Sequence, residues 1–431
     1  MLRTVYTLLI YAAAPIALLA NLWRGLRDPA YRERLGERFG FGRTRAARSI
    51  WLHAVSVGEV QAAAALIREL AKRHPERALI VTTGTPTGAQ RVQALFGASV
   101  RHVYLPYDTP GAVRRFLDRV DPALAIVMET EVWPNLFREC ARRGIPLVIA
   151  SARLSQKSVR GYRWLATLFK DALASGIQIA AQTAGDAERF VGVGANPAHT
   201  HVIGNIKFDL EVAQDVRARG AAWRAAHCAD REVWVAGSTH AHEEDIVLDA
   251  HERLRATRPR ALLVLVPRHP QRFDEVRANL RARSIDCVAR SSGAPVGATT
   301  SVLLVDTLGE LMMFYAAADV AFVGGSLVPI GGHNLLEPAA LALPVLTGPN
   351  NFNSPDVARA LIERGGVLEV RTSDALVAAL AALFDDAGKR QRQGAAAQAF
   401  VMENRGALAR LLDLLEARLS YSDCRSGSST T

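Results

Sequence analysis

Ser49 to Arg73 reads SIWLHAVSVGEVQAAAALIRELAKR. The opening SIWLHAV is a short run with almost no polar interruption, as expected of a strand covered on both faces. EVQAAAALIRELAKR then has the spacing of an amphipathic helix. A buried strand feeding directly into a helix is half of a βαβ unit, and repetition of that pair would set the fold.

The chain supplies the repetition. ALIVTT, VRHVYLP, ALAIVMET and PLVIAS read as further strands, with GAQRVQALF, GAVRRFLDRV and WPNLFRECARR as helices between them. Residues 49–212 are therefore predicted to form a doubly wound α/β domain. After HVIGNIKFDL the alternation pauses in a polar segment, predicting a linker at 213–231. A second series over 232–419 repeats the first: VWVAGST, ALLVLVP, SVLLVDT and VAFVGGS as strands, EEDIVLDAHERLRA, FDEVRANLRAR and LGELMMFYAAA as helices, and C-terminal helices from Ala375 to Leu419 closing the domain. Residues 420–431 read as a disordered tail. Two Rossmann-like doubly wound domains facing across a cleft make the GT-B architecture, a pattern shared with sugar-nucleotide epimerases.

The 431 residues are 49% hydrophobic, ample for two cores, and carry a formal charge of +10. That charge implies an acidic partner. The four cysteines, Cys140, Cys228, Cys287 and Cys424, are scattered, indicating neither a disulfide framework nor a zinc site. From Leu2 to Trp23 the chain is nearly all apolar, close to the roughly 20 residues that span a bilayer. Arg24, Arg27, Arg32, Arg34, Arg38, Arg43, Arg45 and Arg48 follow, against only Asp28, Glu33 and Glu37. Residues 1–23 are thus expected to be a membrane anchor or monotopic helix, and 24–48 a basic juxtamembrane segment with the body on the cytoplasmic side. A signal peptide would start more basic and lack the arginines straight afterwards. Phosphate-rich lipid becomes the favoured partner. Nucleic acid is disfavoured, because aromatics are 6% and the later arginines are spread over many helices.

Several stretches place polar residues where strands end. HAVSVGE puts Glu59 in the first turn of a helix, where a carboxylate is stabilised and can accept a proton from a bound hydroxyl; Ser56 with Glu59 is equally a capping box, which spacing alone favours. METEVWPNL carries Glu129 and Glu131, which in a strand would share a face and hold a cation or sugar hydroxyls, or else act as acids near a helix start. GNIKFD puts Lys207 at the junction of the halves. VPRHP places Pro267 and Arg268 after a buried strand, and VAGSTHAHEE places Ser238 and Thr239 before a helix, for phosphate recognition or for capping. FVGGSLVPIGGHNLLEP, from Phe322 to Pro338, offers the backbone of Gly331 and Gly332 and a helix opening at His333 and Asn334, a combination suited to one phosphate. Glu337, a turn beyond Asn334, is placed to accept from ribose hydroxyls. No phosphate loop of the G-x-x-x-x-G-K-[ST] kind occurs.

Together YRERLGERFGF, LHAVSVGE, VYLPYD, METEVWPNL, KFD, VPRHP, AFVGGSLV, GGHNLLEP and GPNNFN, in this order over nearly the whole chain, resemble the 3-deoxy-D-manno-oct-2-ulosonic acid (Kdo) transferases of lipopolysaccharide core assembly. The resemblance implies a GT-B fold and transfer of Kdo from CMP-Kdo to the lipid A precursor lipid IV(A) at the inner membrane. CMP-Kdo is then a substrate, and neither a cofactor nor a metal is implied. It further implies Glu59 as general base, and Glu129, with Glu131, and Lys207 as transition-state stabilisers. Pro267, Arg268, Leu308, Gly309, Glu310, Asn334, Leu335, Leu336 and Glu337 would hold CMP. The competing expectation is a GT-B enzyme using a UDP-sugar, such as a lipid disaccharide synthase or an epimerase.

Overall fold

Along β1 (Ser49–His53) every residue is buried, and alternate side chains enter different cores. Ile50 and Leu52 join one hydrophobic cluster and Trp51 another, as Leu124 and Ile126 part from Ala125 and Val127 on the neighbouring β4 (Pro122–Met128). This division of a period-2 run between two cores produces a sheet with helices on both faces. The computed structural model describes residues 2–155, 159, 170, 173, 176–210 and 212–427.

The first unit comprises Met1–Asp209 and the chain from Arg405 onward. Its sheet adds β2 (Leu79–Thr83), β3 (Arg101–Tyr104), β5 (Leu147–Ala152), β6 (Gln178–Ala181) and β7 (Thr200–Val202), all parallel, in the order β3-β2-β1-β4-β5-β6-β7. The second unit, Leu210–Asn404, holds β8 (Val233–Thr239), β9 (Leu262–Pro267), β10 (Cys287–Ala289), β11 (Val302–Leu304), β12 (Val320–Val323), β13 (Val345–Thr347) and β14 (Val367–Glu369), parallel in the order β10-β11-β9-β8-β12-β13-β14. The order reverses between β1 and β4 in the first sheet and between β8 and β12 in the second, where β11 is also inserted between β9 and β10. Such sheets bind ligands beyond the carboxyl ends of the strands at the central reversal.

The α/β class and each expected strand match the sequence reading, but β6, β7, β10, β13 and β14 were not anticipated and the domain boundaries differ. The expected linker at 213–231 is largely the helix Val216–His227, whose Val216 and Trp223 enter the core of the second unit. The helix Ala407–Gly427 does not close the second domain as expected. Its Leu411, Leu412, Leu415 and Leu419 pack with Ile50, Leu52, Leu124 and Ile126 on the first sheet. An apolar stripe demands burial but does not name the surface that provides it. The presumed tail from 420 continues this helix to Gly427, and Asp423 accepts from Arg77 at 2.8 Å; residues 428–431 lie outside the described residues.

Residues 24–48 are also folded, with 3-10 turns at Pro29–Arg32 and Leu35–Phe39. Glu37 accepts from the Tyr104 N–H at 2.8 Å, Arg38 donates to the Gly84 carbonyl at 3.0 Å, and the guanidinium groups of Arg34 and Arg38 stand 4.5 and 4.6 Å from the Tyr104 ring. Arg34 and Arg38 therefore fasten this segment to the sheet edge, although the sequence had assigned them to a juxtamembrane stretch.

Candidate active site

Beyond β1 the chain turns at Ser56, whose hydroxyl accepts from the Glu59 N–H at 3.4 Å and starts the helix Val57–Ala62. The Glu59 side chain reaches back to accept from the Val55 N–H at 2.8 Å. The cap and the base are therefore not exclusive: one oxygen is engaged by the backbone, and the environment raises the proton affinity of the group. Burial pushes the Glu59 carboxyl up to about 7; the Val55 N–H works against this, and the negative charges of Glu129 and Glu131 add to it.

Those two acids lie across the switch point. β4 ends at Met128, and Glu129 takes a left-handed backbone with φ 58°. The expectation that both share a strand face fails here, because they stand in a turn and point where the turn directs them. Glu129 Oε1 is 3.3 Å from Lys207 Nζ. Burial raises the Glu131 carboxyl above its usual range. Lys207 sits on a 3-10 turn, Ile206–Phe208, whose start is fixed by Asn205 Oδ1 accepting from the Lys207 N–H at 3.0 Å. Asp209 of the same KFD motif acts elsewhere, since its carboxylate accepts from the N–H groups of Gly406 and Leu408, both at 2.6 Å, and caps the helix Ala407–Gly427. The first unit thus gathers Glu59, Glu129, Glu131 and Lys207, the four residues expected to carry the chemistry.

In the second unit the glycine stretch behaves differently from expectation. The Glu243 carboxylate, fully buried, accepts from the N–H groups of Gly325 at 2.7 Å, Ser326 at 3.0 Å and Leu327 at 2.9 Å. Gly324 is required by this closeness, because a Cβ there would lie 2.7 Å from Glu243 Oε2. The N–H groups of Gly331 and Gly332 donate to the Gly325 carbonyl at 3.1 and 2.8 Å, so their expected role in anion binding is not available. The bare backbone serves first an internal anion and then its own loop. Thr239 is likewise committed, its hydroxyl donating to the buried Glu244 at 3.0 Å, whereas Ser238 takes a left-handed φ of 59° at the end of β8. Glu243 and Glu244 escaped the sequence reading because acids opening a helix look like ordinary first-turn residues.

The expected helix opening at His333 and Asn334 is a five-residue helix, Leu336–Ala340, entered through Leu335. Asn334 still organises it: Oδ1 accepts from the Leu336 N–H at 3.1 Å and Nδ2 donates to Glu337 at 3.2 Å. Burial raises the Glu337 carboxyl, opposed by Asn334 and by the positive charge of Arg268. Arg268 follows Pro267 at the end of β9, and its N–H donates to the Thr239 carbonyl at 2.9 Å, locking the ends of β8 and β9 together. In the third expected stretch Leu308 is exposed, Gly309 has φ +82°, and Glu310 accepts from Arg290 at 2.9 Å.

A histidine group not anticipated as a unit completes this edge. The Nε2 atoms of His240 and His333 are 2.7 Å apart with the rings parallel, and His269 meets His240 edge-on at 5.3 Å between centroids. At 2.7 Å one imidazole must donate and the other accept. Burial and the surrounding cations, Arg268 among them, push His240 down to about 4 and His333 to about 3. Neutral imidazoles beside arginines form a surface receptive to an anion. Among the described residues no cluster of His, Cys, Asp and Glu is arranged to hold a metal ion.

Two parallel doubly wound units with their polar groups at the carboxyl ends of the strands define the GT-B class. Solved structures agree on the fold: MurG of Acinetobacter baumannii is 12% identical with a TM-score of 0.55, over 86% of this chain and 99% of that one. The UDP-GlcNAc 2-epimerase of Neisseria meningitidis is 14% identical with a TM-score of 0.54, over 86% and 100%. Within that class the chain belongs to the 3-deoxy-D-manno-octulosonic acid transferase family, and is a glycosyltransferase. It is 43% identical to the Haemophilus influenzae enzyme over 97% of this chain and 99% of that one, and 39% identical to the Bordetella pertussis enzyme over 96% and 99%. The family model for 3-deoxy-D-manno-octulosonic-acid transferase (kdotransferase) matches residues 33–210.

Proposed function

We propose that this enzyme transfers Kdo from CMP-Kdo to lipid IV(A), releasing CMP, in lipopolysaccharide assembly at the cytoplasmic face of the inner membrane. The observation that carries the reading is Glu59, whose carboxyl is raised to about 7 beside the Glu129–Lys207 pair. A base of that strength takes the proton of an acceptor sugar hydroxyl near neutral pH. The hydroxyl oxygen then bonds to the anomeric carbon of Kdo as the bond from that carbon to the phosphate oxygen breaks, and CMP leaves with the electron pair, inverting the configuration. Lys207, steered by Glu129, and Glu131 steady the charge that develops around the acceptor.

For the donor, Pro267 and Arg268, Leu308 to Glu310, and Asn334 to Glu337 are proposed to hold CMP. Arg268 supplies positive charge to the single phosphate, and Glu337 with Asn334 supplies acceptors and donors for the nucleoside. One phosphate needs less neutralisation than a diphosphate, so side-chain cations can suffice without a metal ion. The test is transfer from CMP-Kdo to a tetraacylated lipid A precursor in EDTA, with products resolved by mass and with CMP and UDP as competitors. Product formation in EDTA inhibited by CMP and not by UDP is expected; an inactive enzyme with CMP-Kdo, or inhibition by UDP alone, overturns the donor assignment.

A further inference from the structure

The helix Leu2–Arg24 is long and apolar enough to cross a membrane, yet its polar side chains are turned the wrong way for that role. Tyr6 donates to Asp108 at 2.9 Å, Thr7 to Asn135 at 3.2 Å, and Asn21 to the Tyr107 hydroxyl at 3.2 Å. Thr7, Ala14 and Asn21 recur at intervals of seven and so share one side of the helix, on which Ala14 and Asn21 are buried against the first unit. Leu8, Leu9, Ile16, Leu19 and Trp23 occupy the other side, with exposures of 64, 63, 69, 64 and 63%. The helix is therefore polar towards the protein and apolar towards its surroundings, the reverse of a surface helix in water.

Tyr6 and Asn21 are fifteen positions apart, or about 22 Å along a helix axis, and they bond to the adjacent residues Asp108 and Tyr107. Both ends of the helix are thus docked on the same body. A helix crossing a bilayer has to carry one end to the far side, which would strip these bonds and leave Asp108 without its Tyr6 donor. Arg24 and Arg27 follow the apolar face with no acid inside the helix. The Arg27 guanidinium lies 5.6 Å from the Trp23 ring, a pairing suited to the headgroup level of an anionic bilayer.

We propose that Leu2–Arg24 lies in the plane of the membrane interface, its Leu8, Leu9, Ile16, Leu19 and Trp23 face immersed in an anionic phospholipid leaflet and both ends on the side of the catalytic body. The inference rests on the proposed membrane location and refines it. A helix so placed is a raft that holds the first unit against the leaflet.

The full-length enzyme carrying one extra cysteine ahead of Met1 tests this in spheroplasts with a membrane-impermeant maleimide, the exposed Cys424 serving as marker of the body. Flotation with phosphatidylethanolamine and phosphatidylglycerol vesicles is measured in parallel. The expected result is that the wild type floats, and that both cysteines are protected in intact spheroplasts and react only after lysis. The doubly substituted Leu8→Glu, Ile16→Glu enzyme is expected to lose vesicle binding at least tenfold while keeping the secondary structure content of the wild type. Labelling of the added cysteine in intact spheroplasts while Cys424 stays protected shows a crossing helix and overturns the in-plane arrangement alone. A wild type that does not float overturns the membrane location itself.

Discussion

Replacing Glu59 by Gln separates the two roles this side chain performs. The amide oxygen of Gln can still accept from the Val55 N–H, now 2.8 Å from Glu59, so the helix cap survives and stability should change by less than about 1 kcal/mol. The amide cannot take a proton, and loss of a general base lowers the rate by about 10²–10⁴. The wild type should show its own signature. With the carboxyl raised to about 7, the ionised fraction grows about tenfold from pH 6 to pH 8, whereas a carboxyl at the ordinary value would change by only about 3% over that span. The kcat/KM for Kdo transfer should therefore climb about tenfold between pH 6 and pH 8 and level off above. Replacing Glu129 or Glu131 by Gln removes a negative charge that holds the carboxyl up, and should shift the rise to lower pH. Steady-state assays with thermal melts on the same samples make the measurement. A wild-type profile flat from pH 6 to pH 8 would refute the argument from burial, and a Glu59→Gln enzyme with full activity would reduce the residue to a cap.

Asp209→Ala frees the N–H groups of Gly406 and Leu408 and should destabilise the first unit by about 1–2 kcal/mol in urea unfolding; an unchanged midpoint would mean that the last helix docks without its cap. Glu243→Ala leaves the N–H groups of Gly325, Ser326 and Leu327 buried without their acceptor, a loss of about 2–4 kcal/mol that should lower the melting temperature and weaken CMP binding together. Arg268→Ala should raise the Kd for CMP about 10–100-fold with the fold intact, as followed by calorimetry, in line with loss of a charge-assisted phosphate contact; an unaltered Kd would remove Arg268 from the donor site. His240 and His333, pushed down to about 4 and about 3, should keep neutral ring resonances in NMR titration down to pH 5, and saturating CMP should move their titration upward, because an anion favours the protonated rings.

Much of this protein is legible in its order of residues. Runs such as SIWLH, PALAIVM and LLVLVP are apolar on both faces and can be satisfied only inside a sheet with helices on either side, so the α/β class follows from period alone. The residues at strand ends follow too, because a polar group directly after a buried strand must lie at the carboxyl edge of the sheet. Glu59, Glu129 and Arg268 were placed at that edge in this way, whereas Lys207 was singled out at the junction of the two halves, and the roles expected of all four came from the family resemblance. Short strands such as β10, β13 and β14, of three residues each, are too brief for a period to declare itself.

What only the tertiary structure decided is which partner each group meets. The stripe of Leu411, Leu415 and Leu419 announces burial, but its docking on the first sheet instead of the second depends on where the chain has already been. The glycines of FVGGS announce exposed backbone, but that a buried Glu243, about eighty residues earlier, consumes it is a long-range fact. The same holds for Tyr6, Thr7 and Asn21, which the sequence shows as blemishes in an apolar helix and the structure shows as its points of attachment. Burial and periodicity are local properties that a sequence carries in full, whereas pairing is chosen among many compatible surfaces and is settled only when the chain closes on itself.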